Sequence, residues 1–171
     1  MPVVDVKVFY LQMLTYNRRP VPSPRSGLTV LHAQKPSVAY YRFLYDAVGK
    51  EYHWFTRGSM PDAELAAVIQ HPRNEVHVLC VDGCPAGFAE LDRRDACHIE
   101  LVQFGLMRDY IGQGLGKYFL HWTIDKAWSY APECFWLHTC TLDHPAALPN
   151  YQKAGFVLYK EEMIQREIEN A

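Results

Sequence analysis

Three glycines, each two residues from the next, lie directly ahead of a helical pattern and constrain this chain more than any other feature. They are Gly112, Gly114 and Gly116, within the stretch from Leu106 to Trp128. Glycine lets the backbone bend sharply and lets a ligand approach closely, and a following helix adds unpaired N–H groups and the positive end of its dipole. The stretch therefore predicts a binding site for phosphate oxygens.

The segment after the glycines predicts an amphipathic helix with a polar stripe of Lys117, His121 and Asp125. At about 100° per residue the opposite face is apolar, and its residues are Leu115, Phe119, Leu120, Thr123, Ile124 and Ala127. We expect this face to pack on a sheet. Trp122 and Trp128 lie at the edges of the polar stripe, where a contact with a second subunit would make the protein a homodimer.

Alternating apolar residues and turn residues predict strands on both sides of this helix. The predicted element order is β, α, α, β, β, β, α, β, α, β, a mixed α/β fold with an antiparallel meander. The first strand covers residues 3–14, and the run 28–32 is either a second strand or the continuation of the first. At 171 residues and 49% hydrophobic content, the chain predicts a single domain, 1–171.

Capping signals bound the two helices that precede the meander. Ser37 is the predicted N-cap of the first helix and Gly49 its C-cap. Ser59, followed by Asp62, resembles a capping box that starts the second. Residues 40–55, which run from the first helix into the segment after it, are dense in aromatic side chains. Core packing and an acceptor-binding wall both account for that density.

Charge and cysteine usage restrict the partners. The net charge is −2 with mixed signs, so no nucleic-acid partner is expected. Five cysteines without a CxxC pair are typical of reduced thiols in a cytoplasmic protein. No apolar run approaches the roughly 20 residues that span a membrane.

Four possible metal ligands lie close together in the sequence: Cys134, His138, Cys140 and His144. Most of them belong to one strand, whose side chains alternate between faces, so we expect no metal.

Two other glycine-rich phosphate motifs do not fit the segment. A dinucleotide fingerprint, G-x-G-x-x-G, needs a glycine where Lys117 stands. A P-loop needs four residues between its first glycine and its Gly-Lys pair, but only three separate Gly112 from Gly116. Tyr118 also replaces the Ser or Thr of that motif.

The segment resembles the cofactor motif of the GNAT superfamily, the acetyl-CoA-dependent N-acetyltransferases. The family motif, Q/R-x-x-G-x-G/A, opens the central helix, and residues 111–116 (IGQGLG) match it with Ile111 in place of Gln or Arg. A second family signature, a Tyr four residues before Gly-Phe, is matched by Tyr151 and Gly155-Phe156. His144 stands where the family often has Asn.

The resemblance spans about residues 36–165 and implies a GNAT-type, mostly antiparallel central sheet flanked by helices. It implies an N-acetyltransferase that uses acetyl-CoA as cosubstrate and acts by direct attack of a primary amine of a small molecule or protein. Tyr151 would protonate the departing thiolate, and a backbone N–H near Leu106 would meet the oxyanion. The residues that would bind coenzyme A are Leu106, Ile111, Gly112, Gln113, Gly114, Gly116, Lys117 and His144.

Glu100 is the predicted general base. An alkylammonium group has a pKa of roughly 10.4 and must lose a proton before its nitrogen can attack a thioester. Glu100 lies on the strand that leads to the glycines, in an apolar setting that raises the pKa of a carboxyl group. We expect it to share a strand face with His98, Val102 and Phe104. Alternatively, Glu100 is a carboxylate that faces solvent and has no catalytic role. A path of water molecules would then remove the proton from the amine.

A non-catalytic acyl-CoA-binding sensor or interaction module on the same fold is the alternative function. A pure sensor would need neither Glu100 nor Tyr151. A third route, through an acyl-cysteine on Cys140 with His138 as its base, is disfavoured because buried cysteines are common in protein cores.

Overall fold

The computed structural model describes residues 1–168, so the last three residues of the predicted domain lie outside the described part. Its strands are β1 (Val3–Met13), β2 (Leu28–His32), β3 (Asn74–Val81), β4 (Cys84–Asp92), β5 (His98–Leu106), β6 (Cys134–Cys140) and β7 (Val157–Glu167). Its helices are α1 (Val38–Gly49), α2 (Asp62–Ile69), α3 (Leu115–Trp128) and α4 (Ala147–Ala154). The predicted mixed, mostly antiparallel fold is confirmed.

The strands form one seven-stranded sheet in the order β2-β3-β4-β5-β6-β1-β7. The pair β5 and β6 is parallel, and the other neighbours are antiparallel. Within β1, Val8 lies between Cys140 of β6 and Glu162 of β7. Because β2 lies at the opposite edge, on β3, the alternative that it continues β1 is wrong. The proline-rich loop between them carries the chain across the sheet.

The sheet has an apolar core on each face. On β3, Val76 and Val78 belong to the core under α1 and α2, whereas Leu79 and Val81 belong to the core under α3 and α4. The predicted apolar face of α3 is confirmed, since the buried residues of this helix are Leu115, Phe119, Leu120, Thr123, Ile124 and Ala127.

The two tryptophans at the edges of the polar stripe of α3 contact their own chain. Trp128 Nε1 donates to Met13 Sδ at 3.1 Å. The Trp122 ring lies edge-on to that of His77 on β3, with 5.0 Å between centroids. Both side chains are therefore used in packing α3 on the sheet, whereas the homodimer stays a prediction.

One predicted cap is confirmed and two are wrong. The Ser37 hydroxyl accepts a hydrogen bond from the first turn of α1 at 3.2 Å. Gly49 keeps a helical φ of −99° because the chain continues into a 3₁₀ turn, and His53 takes the left-handed conformation at φ 54°. Helix α2 begins after Pro61, whose φ of −58° suits a helix start, and Ser59 donates to a carbonyl of the preceding turn instead.

A β-bulge at Val102 reverses the alternation of side chains along β5. Leu101 pairs with β4 and so does Gln103, but Val102 has no partner there. Past the bulge Phe104 therefore points towards α3, where its ring lies 5.5 Å from that of Phe119. The prediction that Phe104 shares a face with Glu100 is wrong, because one extra residue shifts the pleat.

Strands β5 and β6 separate shortly after they begin. Their parallel pairing runs only from His98 and Cys134 to Glu100 and Trp136. Beyond that point the β5 backbone, residues 101–106, has no strand partner on its β6 side among residues 1–168. A gap opens there between the two strands, and most of the predicted site residues line it.

Candidate active site

A cavity of about 790 Å³ occupies the gap between β5 and β6. Its walls are β5 from Leu101 to Leu106, the glycine loop, α3 and α4. Tyr52 and Trp54, which follow α1, close one end. The cavity brings together these predicted site residues: Leu106, Ile111, Gly112, Gly114, Gly116, Lys117, His144 and Tyr151.

The glycine loop presents unpaired backbone N–H groups. Gly112 and Gly114 have φ values of 83° and 80°, in the left-handed region that favours glycine. From Gly112 to Lys117, no backbone N–H bonds to an acceptor within residues 1–168. A Cβ added at Gly112 would meet no atom within 4 Å, so a ligand has room beside this loop. These donors and the N-terminus of α3 together suit an anion.

Positive side chains surround the same part of the cavity. Arg19, Lys117 and Lys153 line it, and Arg19 Nη1 is held by the Lys153 carbonyl at 3.0 Å. By contrast, the Gln113 side chain turns back to the Asp109 carbonyl at 3.0 Å and does not line the cavity.

Tyr151 lies on α4, with 9% of its surface exposed. Its ring packs against Phe104 and Phe156, at centroid distances of 6.3 and 6.0 Å. Burial, helped by the charge of Asp143, raises the pKa of this phenol well above its ordinary value. The hydroxyl therefore keeps its proton at neutral pH and can donate it inside the cavity.

Glu100 lies outside this cavity and lines a second one, of about 630 Å³, with Asp92, Arg94 and Trp136 among its other walls. Burial first, and the neighbouring Asp92 carboxylate second, raise the pKa of Glu100 to about 7. Its Oε1 lies 3.7 Å from Nε2 of His138, which lines the first cavity. Glu100 and Tyr151 therefore line different cavities. His138 lines the cavity of Tyr151 and lies next to Glu100.

Within residues 1–168, no three His, Cys, Asp or Glu side chains are grouped so as to hold a metal ion. In the same part of the chain, no helix is long and apolar enough to cross a membrane.

The model of the acetyltransferase (GNAT) family matches residues 42–156, more than half of the chain. The chain belongs to the GNAT acetyltransferase family. A search of curated protein sequences found no significant match.

Solved GNAT structures share the fold at low sequence identity. A GCN5-related N-acetyltransferase from Sphaerobacter thermophilus is 14% identical with a TM-score of 0.70, over 94% of this chain and 50% of that one. One from Kribbella flavida is 15% identical with a TM-score of 0.62, over 93% and 56%. An aminoglycoside acetyltransferase from an uncultured soil metagenomic sample is 15% identical with a TM-score of 0.59, over 78% and 90%. This chain thus spans about half the length of the first two proteins.

In this GNAT fold, Asp143 ties two loops together at the end of the cavity formed by Tyr52 and Trp54. Asp143 Oδ1 accepts a hydrogen bond from Trp54 Nε1 at 3.2 Å, and Oδ2 accepts one from the Cys140 N–H at 3.1 Å. Gly49 leaves room for the indole, since a Cβ there would lie 2.3 Å from Trp54. Aromatic density was the one sequence signal for this wall, and nothing marked Asp143.

A buried ion pair anchors the segment that carries Trp54. Arg57 Nη2 lies 3.0 Å from Glu90 Oε2, and the Tyr41 hydroxyl donates to Glu90 Oε1 at 2.6 Å. The carboxylate of Glu90 is fully buried, so these partners offset the cost of removing its charge from water. The contacts fix the loop after α1 against β4, within the GNAT core. Arg57 does not line either cavity.

Proposed function

We propose that this protein is an N-acetyltransferase that moves an acetyl group from acetyl-CoA to a primary amine by direct attack. One observation carries the proposal: Gly112, Gly114, Gly116 and Lys117, whose backbone N–H groups are unbonded within residues 1–168, line the same cavity as the buried Tyr151. The GNAT family uses acetyl-CoA as its cosubstrate. The residues present suit that molecule, which combines anionic phosphates, an amide-bearing arm and a thioester.

The glycine loop would hold the pyrophosphate through the N–H groups of Gly112, Gly114 and Gly116. Gln113 would contribute its backbone N–H, because its side chain is turned away. Positive charge would come from Lys117, with Arg19 and Lys153 beside it. Apolar contacts would come from Leu106 and Ile111, and a further polar contact from His144.

The unpaired backbone of β5 would receive the rest of the cosubstrate. Residues 101–106 have no partner on the β6 side, so their free backbone groups suit the amides of an extended arm. A backbone N–H near Leu106 would stabilise the oxyanion that forms when the amine attacks.

Two side chains would handle protons in this reaction. Glu100, with a pKa of about 7, would be the base that finally receives the proton of the acceptor ammonium. Tyr151 would give its phenol proton to the departing sulfur. The acceptor would enter at the end of the cavity walled by Tyr52 and Trp54, where Asp143 supplies a negative charge beside aromatic rings.

A thiol-release assay with acetyl-CoA tests this proposal. The acceptor panel would contain a polyamine, an arylalkylamine, an amino-acid amide, an aminoglycoside and a lysine-containing peptide, with calorimetry of acetyl-CoA in parallel. We expect binding and amine-dependent thiol release with at least one acceptor. Binding without turnover across the panel would favour the acyl-CoA sensor, and no binding would refute the assignment of the cavity.

A further inference from the structure

His138 stands between the two cavities. It lies on β6 just past the point where β5 and β6 separate, and its ring packs between those of Tyr10 and Trp136, at centroid distances of 5.8 and 6.4 Å. The ring lines the first cavity. Its Nε2 lies 3.7 Å from Oε1 of Glu100, which lines the second cavity.

The two cavities share no lining residue among those that the structure describes. An amine positioned for attack in the first cavity therefore meets the imidazole of His138 before it can meet the carboxylate of Glu100. Because Glu100 does not contact the ammonium group directly, a group between them must accept the proton and donate it to Glu100. Imidazole does both near neutral pH.

We propose that His138 takes the proton of the acceptor ammonium and passes it to Glu100. This inference rests on the proposed acetyl transfer to an amine. The N–H bond of the ammonium breaks and the proton adds to the imidazole. The imidazolium then gives a proton to the Glu100 carboxylate, which releases it to water in the second cavity. The second amine proton, lost from the tetrahedral intermediate, balances the proton that Tyr151 gives to sulfur.

The charges around His138 suit this transfer. Partial burial lowers the pKa of its imidazole, although 44% of the side chain is exposed. Asp143 on the following loop opposes this effect, and Arg166 on β7 reinforces it. The ring is therefore neutral at pH 7 and free to accept a proton. The hydroxyl of Tyr10, on β1, donates instead to Glu162 at 3.0 Å.

The groups around Glu100 make its carboxylate a better proton acceptor than an ordinary one. Asp92 and Glu90, both on β4, raise the pKa of Glu100, whereas Arg57 and Arg94 lower it. Burial has the largest effect, and the resulting pKa is about 7.

Chemical rescue distinguishes proton transfer from mere packing. We would measure turnover of His138→Ala with acetyl-CoA and with the panel amine that the wild type acetylates fastest. The expected result is a kcat at least about tenfold below wild type, with acetyl-CoA affinity and melting temperature nearly unchanged. Imidazole added to the buffer should raise the kcat of His138→Ala several-fold. In a series of substituted imidazoles, this increase in kcat should grow with the basicity of the imidazole.

His71→Ala is the matched control. His71 follows α2, is exposed, accepts a hydrogen bond from the Arg73 N–H and lines neither cavity. Its kcat should equal that of the wild type and should not respond to imidazole. His138→Gln adds a second test, because glutamine keeps much of the volume but cannot carry the proton, so its kcat should fall as in His138→Ala.

Normal turnover of His138→Ala, or of His138→Gln, would overturn the role of His138 and leave the proposed acetyl transfer intact. A loss in His138→Ala that no imidazole restores would also overturn it, since packing alone would then explain the defect. Absence of turnover in the wild type with every panel amine would instead refute the proposed function itself.

Discussion

Trp54 Nε1 donates a hydrogen bond to Asp143 Oδ1 at 3.2 Å, and this bond joins the segment after α1 to the loop after β6 across one end of the cavity. Tyr52 lies at the same end of the cavity, and its ring contacts that of His144 at a centroid distance of 5.9 Å. Two loops from distant parts of the sequence are therefore held together where the acceptor is proposed to enter. Their spacing determines how large an acceptor can pass.

Replacing Trp54 with Phe tests this entrance. The variant keeps an aromatic ring but loses the N–H, and a net hydrogen bond is worth about 1 kcal/mol, or about fivefold in an equilibrium constant. We expect the KM for the amine to rise about fivefold while the Kd for acetyl-CoA stays within about twofold. Trp128→Phe, which loses a bond to Met13, is the control. An unchanged KM in Trp54→Phe would show that the entrance does not depend on this bond.

The Gly114→Glu variant tests the glycine loop. A carboxylate at this position would repel the phosphates, and a non-glycine residue at φ 80° is strained by about 1–2 kcal/mol. We expect acetyl-CoA binding to become undetectable by calorimetry. Gly83→Glu imposes a similar strain, at φ 84°, in the β3–β4 turn outside both cavities. If Gly114→Glu binds acetyl-CoA as well as Gly83→Glu does, this loop does not hold the phosphates.

The Tyr151→Phe variant tests the proton donor to sulfur. Phenylalanine keeps the packing on Phe104 and Phe156 and removes only the hydroxyl. We expect kcat to fall by at least about tenfold with acetyl-CoA affinity nearly unchanged. Tyr118→Phe, on α3 and outside the cavity, should keep the wild-type kcat. Full turnover in Tyr151→Phe would remove this phenol from the mechanism.

The Glu100→Gln variant should lose turnover and gain stability above neutral pH. The pKa of Glu100 is about 7 in the folded protein against an ordinary value of 4.5, so the folded state holds this proton more tightly than the unfolded state does. The free energy of unfolding of the wild type therefore falls as the pH rises from the lower to the higher of these two pKa values. The amide of glutamine does not ionise, so the variant does not lose this stability. At about pH 8 its free energy of unfolding should exceed that of the wild type by at most about 3 kcal/mol.

Urea unfolding at about pH 8 and at about pH 4 measures this difference. The gain of Glu100→Gln should shrink towards zero at the lower pH, where both proteins are uncharged at residue 100. Glu133→Gln, on an exposed loop residue, controls for the removal of one acidic side chain. An equal gain at both pH values would contradict the pKa assignment.

Local patterns in the sequence were enough to predict the features that depend on neighbouring residues. The apolar face of α3 follows from spacing alone, and the structure buries the same six residues. Tyr151 was identified because the residues up to Gly155-Phe156 resemble the GNAT family signature, and it lines the cavity with the glycines. A helix brings residues of nearby number to one face, so its pattern survives without any knowledge of the tertiary fold.

The missed features depend on contacts between distant segments. The bulge at Val102 arises from the pairing of β5 with β4, and its effect on Phe104 has no local signature. The sequence offered His138 only as a base for Cys140, because its proximity to Glu100 requires β6 to lie beside β5 and then diverge. Arg57 closely follows the aromatic-rich residues 40–55 in the sequence, yet it is buried against Glu90.

The position of β1 between β6 and β7 has a consequence for the order of folding. Val8 pairs with Cys140 and Glu162, so β1 is synthesised well before either of its partner strands. Until those segments leave the ribosome, the apolar side chains of β1 lack these partners, and closing such distant contacts is slow. Because β6 carries His138 and borders the main cavity, that cavity cannot form before β6 has been synthesised.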